Sequence, residues 1–292
     1  MLLAVIAYRI MKKKSVGVSA DVSFVRSFFR YCFPKAIYNH PSAVLDYKYF
    51  IVNKILFAFI FAPLFLGSPG IAEWIAKTFG TSVDTANNAS DLTVIIYTVV
   101  AVVVFDFSIF FTHYLQHRIP VLWQFHKVHH SAEVLTPITV YRMHPVDELL
   151  TGIAATIALS LTGGAFMIAT EILVSPLQLF QVNGLLFIYY VAGYNLRHSH
   201  IWLNYPSWLL KVLISPAQHQ IHHSNASRHF DKNFGFIFSF WDQLARTIYI
   251  PAMREDLKFG LSKDENREFG SILALYFHPF KKAAKLFRRE NQ

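Results

Sequence analysis

Eight of the fourteen histidines in this chain fall into three tight clusters. The clusters HYLQH, HKVHH and HQIHH contain His113, His117, His126, His129, His130, His219, His222 and His223. Residues three or four positions apart share one face of an α-helix, so H-x3-H presents two imidazoles together and H-x2-H-H presents three within roughly 100°. With His198 of RHSH as a ninth candidate, the donors exceed the roughly four to six ligands that one first-row ion takes. The sequence therefore predicts two metal ions.

The spacing of the clusters decides how strong this prediction is. A single H-x3-H pair is more often a surface pair than a pair of metal ligands. Chance is a poor explanation for two copies of H-x2-H-H about ninety residues apart. Packing several imidazoles side by side is costly unless a cation engages their lone pairs, so the pattern favours metal binding.

Composition indicates where such a site lies. The chain is 54% hydrophobic, 16% aromatic and 15% charged, which is too apolar for an ordinary soluble domain of 292 residues. Each of four stretches has the length and apolarity of a membrane-spanning helix, although a buried core helix has the same signature. These stretches are Tyr47–Leu66, Leu92–Phe111, Leu149–Ala169 and Ile172–Gly193. We expect an all-α integral membrane protein with about four transmembrane helices and a helical cap at the cytoplasmic face that holds the di-metal site.

The distribution of basic residues orients this arrangement. Of the 27 Lys and Arg residues, Lys77 alone lies in the loop from Gly67 to Asp91, whereas both terminal segments are rich in Lys and Arg. Because cytoplasmic segments carry the excess of basic residues, both termini should be cytoplasmic. With four spans, segments 112–148 and 194–292 emerge on that side too, and they hold every clustered histidine.

Charge, cysteine content and the N-terminal segment narrow the class of protein further. The net charge of +9 suits anionic lipid headgroups better than nucleic acid, because basic residues border the apolar spans and form no stripe with base-stacking aromatics. Cys32 is the only cysteine, which excludes an intrachain disulfide and a thiolate metal cluster. Residues 1–46 read as an N-terminal interfacial segment, although an amphipathic packing helix fits equally well. Residues 47–292 should form one membrane-embedded domain.

From about Asp106 to Pro251 the chain resembles the fatty acid hydroxylase and sterol desaturase superfamily of membrane di-iron enzymes. The stretches that carry the resemblance are DFSIFFTHYLQHRIPVLWQFHKVHH, RHSH and SPAQHQIHHSNASRHFDKNFGFIFSFWDQL. The family's histidine boxes, at 113–144 and 198–223, correspond to the nine histidines named above, and His144 in RMHP stands where many relatives have a histidine-proline pair. The chain departs from the family pattern with HY at His113 and with QLARTIY after Trp241 and Asp242.

The resemblance implies a reaction. Two iron ions would activate O2 to cleave a C–H bond, and the reaction would be hydroxylation or desaturation of a fatty acyl, sterol or related membrane lipid. Zinc would be a substitute metal on overexpression. The chain lacks a dinucleotide G-x-G-x-x-G motif, a fused haem or ferredoxin module and the H-E-x-x-H motif of zinc proteases. A separate reductase, ferredoxin or cytochrome b5-like protein should therefore supply electrons.

Two other functions stay open from the sequence. One is an ether-lipid monooxygenase of the same superfamily with a pterin reductant. The other is a non-enzymatic membrane metal carrier or sensor, which would have histidines distributed along its spans.

Several residues around the boxes are candidates for orienting the ligands. Asp106 lies seven residues before His113 and hence on the same helix face, where it could hold an imidazole tautomer or serve structure alone. Asp231, Asn233 and Asp242 surround the last box, with solvated or capping roles slightly favoured. His200 and His229 read as peripheral histidines rather than metal ligands.

Overall fold

Helices make up most of the described chain. The computed structural model describes Val5, Tyr8, Arg9 and residues 24–57, 68–84, 89–179 and 182–290. The first helices are α1 (Phe24–Cys32), α2 (Lys35–Tyr38), α3 (Pro41–Leu56), α4 (Ser68–Thr78), α5 (Asp91–Arg118) and α6 (Pro120–His130). The later ones are α7 (Pro145–Thr170), α8 (Gly184–Gly193), α9 (Pro216–His222), α10 (Phe240–Leu244), α11 (Lys263–Glu268) and α12 (Ile272–Glu290). Strands β1 (Gln178–Leu179) and β2 (Val182–Asn183) form a short antiparallel pair.

The chain divides into two compact units. The first unit comprises Met1–Val52, Gln116–His144 and Ala192–Gln292, and the second comprises Asn53–Leu115 and Pro145–Val191. Every clustered histidine except His113 lies in the first unit. Residues 1–46 are described only at Val5, Tyr8, Arg9 and 24–46, and their predicted interfacial role stays a prediction.

The second unit contains two long apolar helices. Both α5, with 28 residues, and α7, with 26, are long and apolar enough to cross a membrane. Only 33% and 28% of their most apolar stretches are buried, so large side chains such as Ile95, Ile157 and Leu161 face outward. A core helix of a soluble protein would cover this surface, whereas a bilayer solvates it. These two helices confirm the second and third predicted apolar helices.

Helix α4 packs against α7 through two glycines. A Cβ added to Gly164 would lie 2.8 Å from Ile75 Cγ2 and 3.2 Å from the carbonyl oxygen of Ala72. A Cβ at Gly163 would meet Ala72 Cβ and the Tyr97 hydroxyl, both at 3.2 Å. Small residues at these positions let two helix backbones approach closely, as in many membrane helix pairs.

The fourth predicted span, Ile172–Gly193, is not one helix. The chain turns at Glu171, which has a φ of 58°, and Pro176 then holds the preceding residue in an extended conformation. The β1–β2 pair follows, and a helix resumes only at Gly184, where the Asn183 side chain accepts a hydrogen bond from the amide of Leu185 at 3.0 Å. Apolarity alone did not reveal this break.

The first predicted span, Tyr47–Leu66, is only partly described. Helix α3 covers its start, since it runs from Pro41 to Leu56, and residues 58–67 lie outside the described part of the chain. Whether this segment spans a membrane stays a prediction.

In the first unit, α3 and α12 pack against the face of α6 that carries Val128. Val128 of α6 is fully buried in a cluster with Tyr49, Phe269 and Leu275. Val128 lies about 200° around the helix from His126, so this packing leaves the histidine face free to point elsewhere. The end of α6 is therefore fixed by apolar contacts on a face about 200° away from His126 and His130.

A buried ion pair also fixes the end of α6. Arg142 Nη1 lies 2.8 Å from Asp46 Oδ1, and both side chains are almost completely buried. Arg142 also donates to the carbonyl of Val128 at 3.1 Å and to Ser131 Oγ at 2.8 Å, while Thr139 donates to Asp46 at 2.7 Å. This network connects α3, the end of α6 and the segment before α7.

Candidate metal centre

The clustered histidines of the first unit form two groups of converging side chains. The first group contains His117, His126, His130 and His222, and the second contains His129, His198, His219 and His223. Within each group, the nitrogens that could bind a metal ion all lie within 4.8 Å of one another. His113 lies in the second unit, one turn before His117 on α5, where residues four apart share a helix face. Each group has enough imidazoles for one first-row metal ion.

Each H-x2-H-H box contributes to both groups. HKVHH gives its i,i+4 pair, His126 and His130, to the first group and His129 to the second. HQIHH does the reverse, since His222 joins the first group while the pair His219 and His223 joins the second. Successive helix residues point about 100° apart, so each helix faces two sites at once.

The two box helices have local signals that position them. Pro120 and Pro216 each stand at the first turn of their helices, where a missing N–H costs nothing. Ser215 and Gln218 form a capping box, in which the Ser215 side chain accepts from the Gln218 amide at 3.2 Å and Gln218 Oε1 accepts from the Ser215 amide at 3.0 Å. These signals set where α9 begins and hence which residues face the site.

The second group has a donor arrangement that suits a cation. The Nε2 atoms of His198, His219 and His223 form a triangle with separations of 2.9, 3.0 and 3.1 Å. An imidazole nitrogen is either a donor or an acceptor, so three of them cannot form three satisfied hydrogen bonds with one another. A cation at this position would engage lone pairs of all three, and His129 Nε2 approaches His198 Nε2 at 3.1 Å.

Burial keeps these rings in the form that binds metals. It lowers the pKa of His126 to about 3 and lowers the pKa values of His130, His219 and His223 well below the usual range. For the last three, neighbouring imidazoles, and for His219 also Arg197, add to the effect of burial. The rings are therefore neutral near pH 7, and a neutral imidazole has the free lone pair that a metal requires.

Arg197 is a residue at this site that the sequence analysis did not identify. Its Nη2 lies 2.6 Å from Nδ1 of His219 and donates to the carbonyl of Gly235 at 3.2 Å, while Nη1 donates to the carbonyl of Phe236 at 3.0 Å. The side chain is buried, and its contacts fix the orientation of the His219 ring. The signal available in the sequence was its position directly before His198 in RHSH.

Two of the predicted orienting residues lie in the turn after the last box. Asp231 Oδ1 lies 3.6 Å from His117 Nδ1, which is longer than a hydrogen bond, and Asp231 Oδ2 lies 3.5 Å from Arg118 Nη1. Both Asp231 and Asn233 have φ near 58°, a left-handed conformation that Asp and Asn tolerate. Between them, the carbonyl of Lys232 accepts a hydrogen bond from His222 Nδ1 at 2.8 Å. The backbone of the turn thus makes the close contact to a ligand candidate.

Asn233 and Asp242 hold the loop that supports α9. Asn233 donates to the carbonyl of Gln218 at 3.0 Å and accepts from the Tyr249 amide at 2.7 Å. Asp242 accepts from the amides of Phe234 and Gly235, both at 2.8 Å. The carbonyl oxygens of Gly235 and Phe236 accept hydrogen bonds from Arg197, and Arg197 contacts His219. Asp242 therefore supports the second group indirectly, through this loop and Arg197. Asp106, in the second unit, is fully buried on α5.

His144 belongs to neither group. Its Nε2 donates to the carbonyl of Tyr276 at 3.0 Å, and its ring packs between Phe125 and Phe280. His144 therefore lies between α6, which carries Phe125, and α12, which carries Tyr276 and Phe280. The structure thus places His144 outside the two groups, and the site role that the histidine-proline resemblance implies stays a prediction.

The two peripheral histidines are also outside the groups. His200 donates from Nε2 to the carbonyl of Tyr31 at 2.7 Å, and burial lowers its pKa. His229 is completely buried and lies 3.1 Å from Glu255. His200 is thus half-buried and His229 fully buried, and both make contacts outside the two groups.

A cavity of about 660 Å³ opens onto the histidines. The imidazoles that line it are those of His117, His130, His222 and His223. Its other walls combine apolar side chains with polar ones, including Trp123, Phe230, Leu261, Asn225, Asp231 and Glu265. This volume is in the range of small-molecule sites, so part of a lipid could enter beside both groups.

The comparisons with known proteins identify the family. Residues 98–247, just over half of the chain, match the fatty acid hydroxylase family. The chain therefore belongs to this family, as the histidine boxes predicted.

Individual relatives are more distant. The chain is 28% identical over 180 residues to ornithine lipid hydroxylase OlsE of Rhizobium tropici, a match that covers 61% of this chain and 50% of that protein. It is 24% identical over 180 residues to the alkylglycerol monooxygenase of Homo sapiens, covering 60% of this chain and 35% of the relative. The alkylglycerol monooxygenase of Caenorhabditis elegans is 26% identical over 173 residues, covering 59% and 30%. The match thus spans half or less of each relative, and no solved structure matches the chain.

Proposed function

We propose that this protein is a membrane-bound di-iron oxygenase that uses O2 to hydroxylate a lipid. The observation that carries the proposal is the cavity of about 660 Å³, which is lined by imidazoles of both histidine groups. Family membership supports the same reaction class, because the relatives described above are hydroxylases or monooxygenases by name.

We assign one iron ion to each group of histidines. The first would be held by His117, His126, His130 and His222, together with His113 from the preceding turn of α5. The second would be held by His129, His198, His219 and His223. The donor set fits iron, because neutral imidazoles without thiolates bind this metal well while leaving it available to O2. His144, which the sequence added to this set, is left out because its contacts are to Tyr276 and two phenylalanines.

Two iron ions held there would activate O2, which is the oxidant that breaks an unactivated C–H bond. The residues of the chain prepare the site for that reaction. Burial keeps the imidazoles neutral, Arg197 and the Lys232 carbonyl fix the rings of His219 and His222, and Trp123 and Phe230 give the cavity apolar walls. A lipid whose reactive carbon reaches the cavity floor would lie beside both groups.

Membrane placement follows from the two apolar helices. We propose that α5 and α7 cross the bilayer, that the chain from Ile172 to Gly193 returns to the side on which α5 ends, and that the histidine groups lie there, at the cytoplasmic face, as the distribution of basic residues predicts. The lipid substrate would then enter from the bilayer, and a separate reductase, ferredoxin or cytochrome b5-like protein would deliver electrons from the cytoplasm.

The reaction is tested by following oxygen from labelled O2 into lipids of cells that express the protein. We expect labelled hydroxylated lipid with the unmodified protein and about two irons per purified chain. His130→Ala and His223→Ala each remove a donor from one group and should reduce labelled lipid to background and iron to roughly one per chain. His278→Ala is the matched control, because His278 of α12 pairs with Glu268 of α11 and belongs to neither group.

The outcomes separate the candidate roles. Loss of two hydrogens without incorporation of label would identify a desaturase. Two irons per chain with neither product would favour a metal carrier or sensor. Near-normal turnover and iron in the His130 variant would contradict the assignment of the first group.

The likeness to alkylglycerol monooxygenases favours a second candidate, oxidation of an ether lipid with a reduced pterin as electron donor. Purified protein given an alkylglycerol, O2 and tetrahydrobiopterin distinguishes the two. Product in this mixture, without a protein reductant, would support the ether-lipid reaction.

Topology is tested with single cysteines in a Cys32→Ala background. Lys77→Cys on α4 and Lys263→Cys on α11 both replace exposed side chains. An impermeant maleimide should label them from opposite sides of the membrane. Labelling of both from one side would contradict the proposed orientation.

A further inference from the structure

Helix α12 has two apolar faces, one buried against the rest of the first unit and one exposed. Its inner face packs on the rest of the first unit through Leu275 and Ala283, both buried. On the outside, Leu273, Phe277 and Phe280 are 69%, 59% and 50% exposed, and Phe287 further along is 56% exposed. These four positions fall within an arc of roughly 80° when 100° separates successive residues. They form a continuous apolar stripe along one side of the helix.

Basic side chains run along one edge of this stripe. Lys281, Lys285 and Arg288 are exposed and lie roughly 60–120° around the helix from Leu273. Between Ile272 and Arg289 the helix contains no Asp or Glu. Lys282, on the other side, is used internally, because it pairs with Glu268 at 2.7 Å. An exposed apolar stripe with a basic edge is typical of helices that lie in the plane of a membrane surface.

We propose that this outer face of α12, formed by Leu273, Phe277 and Phe280 with Lys281, Lys285 and Arg288, seats the first unit on an anionic lipid surface. The apolar rings would enter the boundary between headgroups and acyl chains, and the basic edge would contact lipid phosphates. A second copy of the chain is a poorer occupant, because antiparallel pairing of two such faces would bring basic edges into the same interface. The proposal does not depend on the reaction proposed above.

This placement connects the lipid surface to the metal-binding helix. Phe280 contacts Phe125 of α6 with ring centroids 5.1 Å apart, and Leu275 packs in the same cluster as Val128. Helix α6 also carries His126 and His130, about 200° around the helix from Val128, and His129, about 100° from it. The membrane surface would therefore lie one helix layer behind both histidine groups.

The test is simple to build because Cys32 is the only cysteine of the chain and can be replaced. A nitroxide is attached at Phe277→Cys in a Cys32→Ala background, and the protein is placed in nanodiscs of phosphatidylcholine with or without phosphatidylglycerol. Collision rates with O2, which concentrates in the bilayer, are compared with those of a water-soluble nickel complex. Lys263→Cys on exposed α11 is the matched control. Leu273→Cys replaces Phe277→Cys if the latter does not fold.

The proposal predicts that the α12 label collides several-fold more often with O2 than with the nickel complex in anionic discs, while the control label shows the reverse. Changing Lys281, Lys285 and Arg288 to glutamate should reduce this preference at least several-fold and leave the melting temperature in detergent unchanged. Equal exposure of both labels to the nickel complex would overturn the proposal. So would a dipolar coupling between α12 labels, which would show that a second copy covers the face.

Discussion

Replacing Arg142 by methionine should strongly destabilise the protein, although this residue touches no clustered histidine. Arg142 is 2% exposed and donates to Asp46, to Ser131 and to the Val128 carbonyl. Its removal leaves a buried carboxylate without its cation, which typically costs about 3–5 kcal/mol. A change of 1 kcal/mol shifts the melting temperature by about 2–4 °C in proteins of 150–250 residues, so a decrease of roughly 6–20 °C is expected.

The measurement is the midpoint of thermal unfolding in detergent at one scan rate, followed by tryptophan fluorescence. Lys282→Met is the matched control, because its partner Glu268 is at the surface and such pairs contribute about 0–1 kcal/mol. In Asp46→Asn/Arg142→Met the stranded charge is gone, so the double variant should lose less stability than the sum of the two single variants. Equal decreases for Arg142→Met and Lys282→Met, or strict additivity in the double variant, would refute the argument.

Three further predictions concern the histidine groups and the helix pair. Burial lowers the folded-state pKa values of His126, His130, His219 and His223 below the unfolded value near 6.5, so the unfolded chain binds more protons below that pH. Metal-free protein should therefore become less stable as pH falls from 7.5 to 5.5, by up to about 1.4 kcal/mol per pH unit for each histidine, and a flat melting temperature would contradict this. Arg197→Met should weaken metal binding at the second group by roughly 10–100-fold in a metal titration, because the His219 ring loses its orienting contact; unchanged affinity would be inconsistent with that role. Gly164→Leu should prevent close packing of α4 on α7 and lower the melting temperature, whereas Gly70→Ala, which meets no atom within 4 Å, should have little effect.

Local signals in the sequence were sufficient for several features. The helical spacing of the histidines gave each box a metal-facing side, and the boxes themselves indicated the family. The lengths of the apolar runs predicted α5 and α7 because a membrane span depends on consecutive residues alone. Pro216 and the pair Ser215 and Gln218 likewise mark the start of α9, because capping involves residues only three apart.

Other features depended on contacts between distant residues. Each H-x2-H-H box splits between two groups, and spacing within one helix cannot specify which rings of α6 meet which rings of α9. His144 resembles a site residue in sequence, but the packing of α12 against α6 places it among Phe125, Phe280 and Tyr276. Residues 172–193 are apolar enough for a span, yet hydrogen bonds between Asp84 and the chain at Glu171 and Leu173 hold the start of this segment extended. Arg197 gained its role only when the fold brought Gly235, Phe236 and His219 around its guanidinium group.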